Sequence, residues 1–321
     1  MSSNNHRQKR GVLAAALLLM AAVGLAGCGS ADAGEGEITV GVFPVSGIAP
    51  FYYADDKGYF EDEGLKVSKV DIQSPPDGIA NLASGRQQFA LINCGSVAGA
   101  ISQGLDLRAV AAAYYHSGAK VGEQGLYAMP DSGIDTPKDL EGKTVGLAAL
   151  NNNVHAMLIK AVADDGGDPE KVKFTLIAVQ NIPGAIQKGT IDAGQVIEPF
   201  LTMNAADLSP VIPNFTVALT EQPTISGYVV TTAKYADDNP ETVKKFKAAW
   251  DKGIADLSGD ENVARKAIAS YTEIEPEVVS KMVLPEWNTD LGVDNCEEQI
   301  DIMADYDMIK GNPDLSPFWG Q

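Results

Sequence analysis

Short apolar runs alternate with amphipathic segments through most of the chain, and this alternation predicts strands followed by helices. The strands predicted in the first part cover residues 38–43, 65–72, 89–92 and 107–113. The helices predicted between them cover residues 51–60, 78–84 and 97–102. Regular alternation of this kind is typical of a largely parallel sheet covered by helices.

The pattern starts again near Thr144, with strands at 144–149, 172–178 and 193–197 and helices at 154–164 and 182–188. In both parts a short helix ends at a glycine, Gly85 or Gly189, and a buried strand follows. This repetition indicates two copies of one lobe, although many α/β chains look similar at this level. Beyond residue 230 the alternation stops, and helices are predicted at 240–252, 261–271, 275–282 and 295–309.

The N-terminus has the pattern of an export signal. Basic residues without acids precede an apolar run at 12–25, which is short for a membrane-spanning helix. The following LAGC at residues 25–28 resembles the bacterial lipobox, and an ordinary signal with a chance cysteine is the alternative. The resemblance implies cleavage after residue 27, lipidation of Cys28, a tether at 28–37 and anchoring to the extracytoplasmic face of the cell membrane.

The net charge and the cysteines exclude further classes of binding partner and site. The chain carries a net charge of −19, and loss of residues 1–27 makes this about −22. Such an acidic surface argues against nucleic acid and against electrostatic binding to membranes. Cys94 and Cys296 match no metal motif, so no metal site is expected, and the sequence leaves open whether they pair.

Candidate binding residues follow the predicted strands. In open α/β sheets, ligands bind beyond the carboxyl ends of the strands, where helix N-termini offer free N–H groups. Four loops with small or polar residues have this position. Helix capping alone would also explain why small or polar residues occur in each of them. They contain Ser46 and Gly47, Asn93 and Ser96, Asn151, Asn152 and Asn153, and Glu198.

Several motifs resemble one family of binding proteins. PFYYA at 50–54, DLEGKTVG at 139–146 and EPF at 198–200 are similar to the sulfonate/nitrate/taurine/thiamine-precursor (SsuA/THI5-like, NMT1-like) substrate-binding proteins of ABC transporters. The resemblance runs from about residue 37 to about residue 255. It implies the type II periplasmic-binding fold, in which two lobes, each a mixed, mostly parallel sheet covered by helices, enclose a ligand cleft. Lobe 1 would comprise 38–127, lobe 2 131–225, and 226–321 would return to lobe 1, with crossings near 126–131 and 223–228.

Carried over loop by loop, the resemblance also implies the ligand contacts. These are Ser46, Gly47, Phe51, Tyr52, Asn93, Ser96, Tyr115, Asn151, Asn152, Asn153 and Glu198. The loops contain no Arg or Lys, so an anion would depend on helix N-termini, Ser and Asn. Glu198 with nearby aromatic rings could instead hold an amine or an aminopyrimidine. Both ligand types stay open, and the aromatic rings favour an organic one.

The expected function is that of an extracytoplasmic solute-binding lipoprotein, a monomer that captures a small organic or anionic solute by interlobe closure. Its partners would be an ABC permease and ATPase, and no cofactor is expected. The alternatives are an enzyme on the same fold that acts on a pyrimidine-like or small aromatic compound, or a lipoprotein without a transport role. The chain has no Gly-x-Ser-x-Gly elbow, phosphate loop or His-Glu-x-x-His motif, which argues against an enzyme.

Overall fold

The computed structural model describes residues 36–116, 122–214, 224–272, 274–291 and 293–320. The predicted leader and Cys28 lie outside the described residues. Ala33–Gln321 form one compact unit. Among the described residues, no helix combines the length and apolar character that a bilayer crossing requires.

The first sheet has six strands and defines lobe 1. They are β1 (Glu37–Val42), β2 (Lys66–Asp71), β3 (Phe89–Ile92), β4 (Leu107–His116), β10 (Thr224–Thr232) and β11 (Glu286–Trp287). The second sheet has five strands and defines lobe 2. They are β5 (Gln124–Ala128), β6 (Thr144–Leu147), β7 (Lys173–Leu176), β8 (Ala193–Ile197) and β9 (Ser209–Ile212).

The helices cover both sheets, and in lobe 1 they are α1 (Ala49–Asp56), α2 (Tyr59–Asp62), α3 (Pro75–Ala83) and α4 (Cys94–Ser102). Lobe 2 has α5 (Asn153–Asp164), α6 (Ile182–Gln187) and α7 (Phe200–Met203). The tail has α8 (Ala233–Asp238), α9 (Pro240–Gly259), α10 (Glu261–Thr272), α11 (Pro276–Val279), α12 (Val293–Asp305) and α13 (Ser316–Trp319). Short 3-10 helices cover Ser46–Ile48, Pro137–Leu140, Pro169–Lys171 and Val179–Asn181.

The two sheets repeat one topology, as the sequence repeat predicted. Their orders are β2-β1-β3-β10-β4-β11 and β7-β6-β8-β5-β9. β1 pairs in parallel with β2 and β3, as β6 does with β7 and β8, and an antiparallel strand follows in each sheet. The carboxyl ends of the parallel strands therefore meet at corresponding edges of the two lobes, where a ligand site is expected.

The first crossing between the lobes lies earlier in the chain than expected. Because β5 already pairs with β8, lobe 2 begins before Gln124, which is earlier than the crossing predicted at 126–131. The return to lobe 1 lies between β9 and β10.

The helical tail packs on both lobes, whereas a return to lobe 1 was expected. α9 packs on α1, and Trp250 of α9 donates a hydrogen bond to the carbonyl of Ala112 at 3.0 Å. α12, in contrast, packs on α4 of lobe 1 and on α5 of lobe 2. A disulfide joins Cys94 of α4 to Cys296 of α12, with 6.1 Å between their Cα atoms. The sequence left open whether these two cysteines pair. Their disulfide holds the tail beside the cleft.

Candidate functional site

Two helix N-termini face each other across the cleft. Asn93 caps α4, because its Oδ1 accepts a hydrogen bond from the Ser96 N–H at 2.8 Å. Asn152 caps α5 in the same way and accepts from the His155 N–H at 3.0 Å. Asparagine is favoured at this position because it satisfies an N–H that the helix leaves free. The partial positive ends of both helices are therefore directed into the region between the lobes.

An inner cavity of about 50 Å³ lies between these helix ends. Its polar lining comes from amides and one phenol, and no charged side chain occurs among its described lining residues. The polar lining residues are Asn93, Tyr114, Gln124, Asn152, Asn153 and Gln195. Gln195 accepts from the Ala148 N–H at 3.4 Å and donates to Gln124 Oε1 at 3.2 Å, so its orientation is fixed.

A larger outer cavity of about 390 Å³ adjoins the inner one, and Phe43 lines both. Lobe 1 and the tail supply a stacked pair of rings, Tyr52 and Tyr271, whose centroids lie 4.1 Å apart. Lobe 2 supplies Phe200 and Met203 on the other side. The outer cavity thus has aromatic and apolar walls from both lobes, which suits the body of an organic molecule.

Lys69 brings a positive charge to the outer cavity from the end of β2. Its Nζ lies 4.9 Å from the centroid of the Tyr52 ring and donates to the Tyr52 hydroxyl at 3.3 Å. This hydrogen bond raises the pKa of Lys69, so the ammonium persists at neutral pH. Asp71, two residues along the same strand, also lines the cavity, so the outer site offers both signs of charge.

The lobes touch at the margins of the two cavities. The Ser46 N–H donates to the carbonyl of Glu198 at 3.1 Å, which joins the loop after β1 to the loop after β8. Gln180 of lobe 2 donates to the side chain of Gln73 of lobe 1. The two lobes are therefore in direct contact in this structure.

Glu198 is buried and its carboxylate is occupied by protein donors. Oε1 accepts from the Thr202 hydroxyl at 2.6 Å and from the Val283 N–H at 3.1 Å, and Oε2 accepts from the Thr202 N–H at 3.0 Å. Burial raises the pKa of this carboxyl, against the lowering effect of those hydrogen bonds. Glu198 therefore ties α7 to the tail, and it is not among the residues that line the two cavities.

A second buried carboxyl lies next to it. The Glu198 N–H donates to the Glu123 carbonyl at 2.8 Å, so the two residues are neighbours at the edge of lobe 2. Burial, together with the charges of Glu198 and Glu286, raises the pKa of Glu123 to about 8. At neutral pH the Glu123 carboxyl is consequently protonated in most molecules.

Four of the predicted contacts line one of these two cavities: Tyr52 the outer one, and Asn93, Asn152 and Asn153 the inner one. The structure brings these together from both lobes, as the positions of the loops suggested. Ser46 and Glu198 contact each other through their main chains rather than through the cavities.

The remaining predicted contacts lie elsewhere. Gly47 packs beneath Tyr114, since a Cβ there would come within 2.3 Å of the ring. Phe51 is 1% exposed and belongs to the core of lobe 1, and Ser96 is in the first turn of α4 without lining either cavity. Asn151 is exposed, and its N–H donates to His155 Nδ1 at 3.1 Å. The main chain of Tyr115 pairs in the first sheet, and its side chain lies outside the described residues.

Several cavity residues lie outside the loops that directly follow strands, so the sequence prediction did not include them. Lys69 and Asp71 alternate on β2, a pattern that places both on one face of the strand. Tyr271 is in the last turn of the amphipathic helix α10, and Gln124 and Gln195 lie within strands. The polar residues inside otherwise apolar strands were the signal that could have identified the last two.

Comparisons with known proteins place the sequence in a family. The family model described as NMT1/THI5 like matches residues 46–262. A putative aliphatic sulfonates-binding protein of Bacillus subtilis is 23% identical over 96% of this chain and 88% of its own length. The formylaminopyrimidine-binding protein of Halalkalibacterium halodurans is 31% identical over 55% of this chain and 53% of its own.

A solved structure agrees in fold. The alkanesulfonate-binding protein SsuA from Xanthomonas axonopodis pv. citri, bound to MOPS, has a TM-score of 0.73 and 15% identity over 88% of this chain and 98% of its own. The fold is that of a two-lobed type II periplasmic-binding protein. Since the family model matches more than half of the sequence, the chain belongs to the NMT1/THI5-like family.

Proposed function

We propose that this chain is the extracytoplasmic solute-binding lipoprotein of an ABC importer and that it captures a small organic solute between its lobes. The observation that carries the proposal is the outer cavity, whose walls come from Tyr52 and Tyr271 on one side and Phe200 on the other. A solute that contacts both lobes stabilises their closed arrangement, because it gains its full set of contacts only there.

The size and lining of the outer cavity favour an organic solute over an inorganic ion. Its volume of about 390 Å³ would be largely empty around a nitrate ion. Aromatic side chains line it, and the inner cavity offers amides without a charged group among its described lining residues. Both curated relatives described above are named for organic solutes, which supports the same choice.

The remaining parts of the proposal concern partners and location. A lipid on Cys28 would hold the protein at the extracytoplasmic face of the membrane, with residues 28–37 as a tether. The closed form would dock on a permease whose ATPase lies on the cytoplasmic side. The protein would act as a monomer, without a cofactor and without catalysing a reaction on its solute.

A thermal-unfolding screen of the chain from residue 28, with Cys28→Ser, tests the proposal. The panel contains alkane and aromatic sulfonates, taurine, aminopyrimidines, small aromatic acids and nitrate. A solute at 100 times its dissociation constant adds about 2.7 kcal/mol and raises the unfolding midpoint by several degrees. Phe200→Ala should weaken that shift, whereas Leu176→Ala, an exposed residue outside both cavities, should leave it unchanged.

The proposal fails if the panel produces no shift and native mass spectrometry also finds no small molecule bound to the purified protein. A shift with nitrate and none with the organic members would replace the organic solute by an inorganic anion.

A further inference from the structure

Gln299 of α12 forms a hydrogen-bonded bridge beside the inner cavity. Its Oε1 accepts from Asn153 Nδ2 at 2.5 Å, and its Nε2 donates to the carbonyl of Ile225 at 3.3 Å. Gln299 is 1% exposed, and Asn153, which lines the inner cavity, is 4% exposed. The bridge connects the start of α5 in lobe 2 with β10 in lobe 1 through the tail helix.

The chemistry of this bridge fixes which way each amide points. A main-chain carbonyl can only accept, so the end of Gln299 that faces Ile225 must be its NH₂ group. Oε1 of Gln299 then faces Asn153, and Asn153 must turn its own NH₂ group towards it. The Asn153 Oδ1 atom is consequently the amide atom that faces away from Gln299.

The Asn153 Oδ1 atom is buried and has no hydrogen-bond partner among the described residues. It is directed at the first turn of α4, since a Cβ on Gly95 would lie 2.6 Å from it. A buried acceptor without a donor is costly, and such atoms in native structures usually meet a water or a ligand. This one lies at the contact between the lobes, and Asn153 lines the inner cavity.

We infer that Gln299 is a positioning residue for the solute site, which holds Asn153 so that its amide oxygen is offered to the solute. The site therefore selects a solute that donates a hydrogen bond at this position, such as an amine, an amino-heterocycle or a hydroxyl compound. The body of the solute occupies the outer cavity, and its donor group reaches past Phe43 into the inner one. This inference rests on the proposed function.

The disulfide supports the arrangement from the same helix. Cys296 lies one turn before Gln299 on α12 and is bonded to Cys94 at the start of α4. The helix that carries Gln299 is thereby fixed to lobe 1 at a point next to Gly95, which faces Asn153. A residue more than 140 positions away in sequence can therefore set the orientation of Asn153.

Neutron diffraction from deuterium-exchanged crystals of the Cys28→Ser chain tests the orientation without any solute. We expect deuterium on the Asn153 nitrogen that faces Gln299 and on the Gln299 nitrogen that faces the Ile225 carbonyl. Asn153 with its NH₂ group towards Gly95 would overturn the inference.

Calorimetric titration with two matched pairs of probes tests the selectivity. The pairs are taurine with propane-1-sulfonate, and 4-amino-2-methylpyrimidine with 2,4-dimethylpyrimidine, and one member of each lacks the N–H donor. We expect the donor-bearing member of a bound pair to bind roughly five- to a hundredfold more tightly. Equal affinities, or tighter binding of the member without a donor, would overturn the inference.

Two variants separate positioning from a merely structural effect. Gln299→Met removes the hydrogen bonds to Asn153 and Ile225 and should abolish the preference within each pair. Gln299→Glu should keep the preference, because a carboxyl oxygen can accept from Asn153 Nδ2 whether or not the carboxyl is protonated. A preference that survives in Gln299→Met contradicts the inference. If the wild-type chain bound none of the probes, sulfonates and aminopyrimidines would be excluded as solutes in the proposed function. The neutron map would still test whether Gln299 orients Asn153.

Discussion

Gly95 of α4 lies directly against Asn153 of α5, and a Cβ atom on Gly95 would come within 2.3 Å of the Asn153 main-chain nitrogen. The starts of the two cleft helices can approach this closely because position 95 has no side chain. Gly95 thus determines how far the two lobes can close on that side of the inner cavity.

We expect Gly95→Ala to hinder closure without disturbing the fold. Alanine is well suited to a helix, so the lobes themselves should remain intact, but its methyl group collides with main chain in the opposite lobe. Solute affinity should fall at least about tenfold, which corresponds to about 1.4 kcal/mol. Calorimetry measures this change, and small-angle X-ray scattering should show a larger radius of gyration with saturating solute.

Gly99→Ala on the same helix is the matched control, because the nearest heavy atom to its Cβ would be 3.9 Å away. Equal affinities for the two variants would mean that the contact between Gly95 and Asn153 does not limit closure.

Reduction of the disulfide should destabilise the protein. The bond between Cys94 and Cys296 closes a loop with a sequence separation of 202 residues, and loss of such a crosslink typically costs about 2–4 kcal/mol. Urea unfolding with and without a phosphine reductant measures the difference in the free energy of unfolding. A Cys94→Ala, Cys296→Ala double variant should be insensitive to the reductant. Unchanged stability after mass spectrometry has verified reduction would contradict the expectation.

The stability of the protein should decrease from pH 6.5 to pH 8. Burial, with the charges of Glu198 and Glu286, raises the pKa of Glu123 from 4.5 to about 8, so between these values the folded chain keeps a proton that the unfolded chain has released. Stability from this group is complete at low pH and is lost as the pH rises, by up to about 1.4 kcal/mol per pH unit.

The window above pH 6.5 separates this effect from that of His155. Burial lowers the pKa of His155 from 6.5 to about 4, so the contribution of His155 is lost only as the pH falls below 6.5. Urea unfolding at four pH values between 6.5 and 8 should show the decrease in the wild type and a smaller one in Glu123→Gln. Parallel slopes would show that Glu123 is not the group responsible.

Glu198→Gln should reduce stability and leave solute selectivity unchanged. The carboxylate accepts from the Thr202 hydroxyl, the Thr202 N–H and the Val283 N–H, and an amide would place its NH₂ group against one of these donors. The expected loss is about 1–3 kcal/mol in the free energy of unfolding. If the variant instead kept its stability and altered the preference among solutes, Glu198 would have to contact the solute.

Local patterns in the sequence predicted most of the strands and helices. The runs that became β1, β3 and β8 are short and largely apolar, and this is a feature of neighbouring positions. The same reasoning placed Asn93 and Asn152 beside the cleft, because helix N-termini at the ends of parallel strands must meet there.

Contacts between distant parts of the chain could not be predicted in this way. Asn153 and Gln299 are 146 positions apart, and nothing near either residue indicates the other. Lys69 and Tyr271 line the outer cavity from a strand and a helix whose relative placement depends on the packing of the tail. The occupied carboxylate of Glu198 likewise depends on Val283, which approaches it only in the folded chain.

Calorimetric titration of the solute found in the screen, or identified by mass spectrometry, tests the central claim most directly. The account predicts saturable binding of one solute per chain, a negative heat-capacity change from burial of apolar surface, and at least about tenfold weaker binding in Phe200→Ala. Leu176→Ala should bind as the wild type does. Binding that is equally tight in Phe200→Ala, or that does not saturate, would contradict capture of an organic solute between the two lobes.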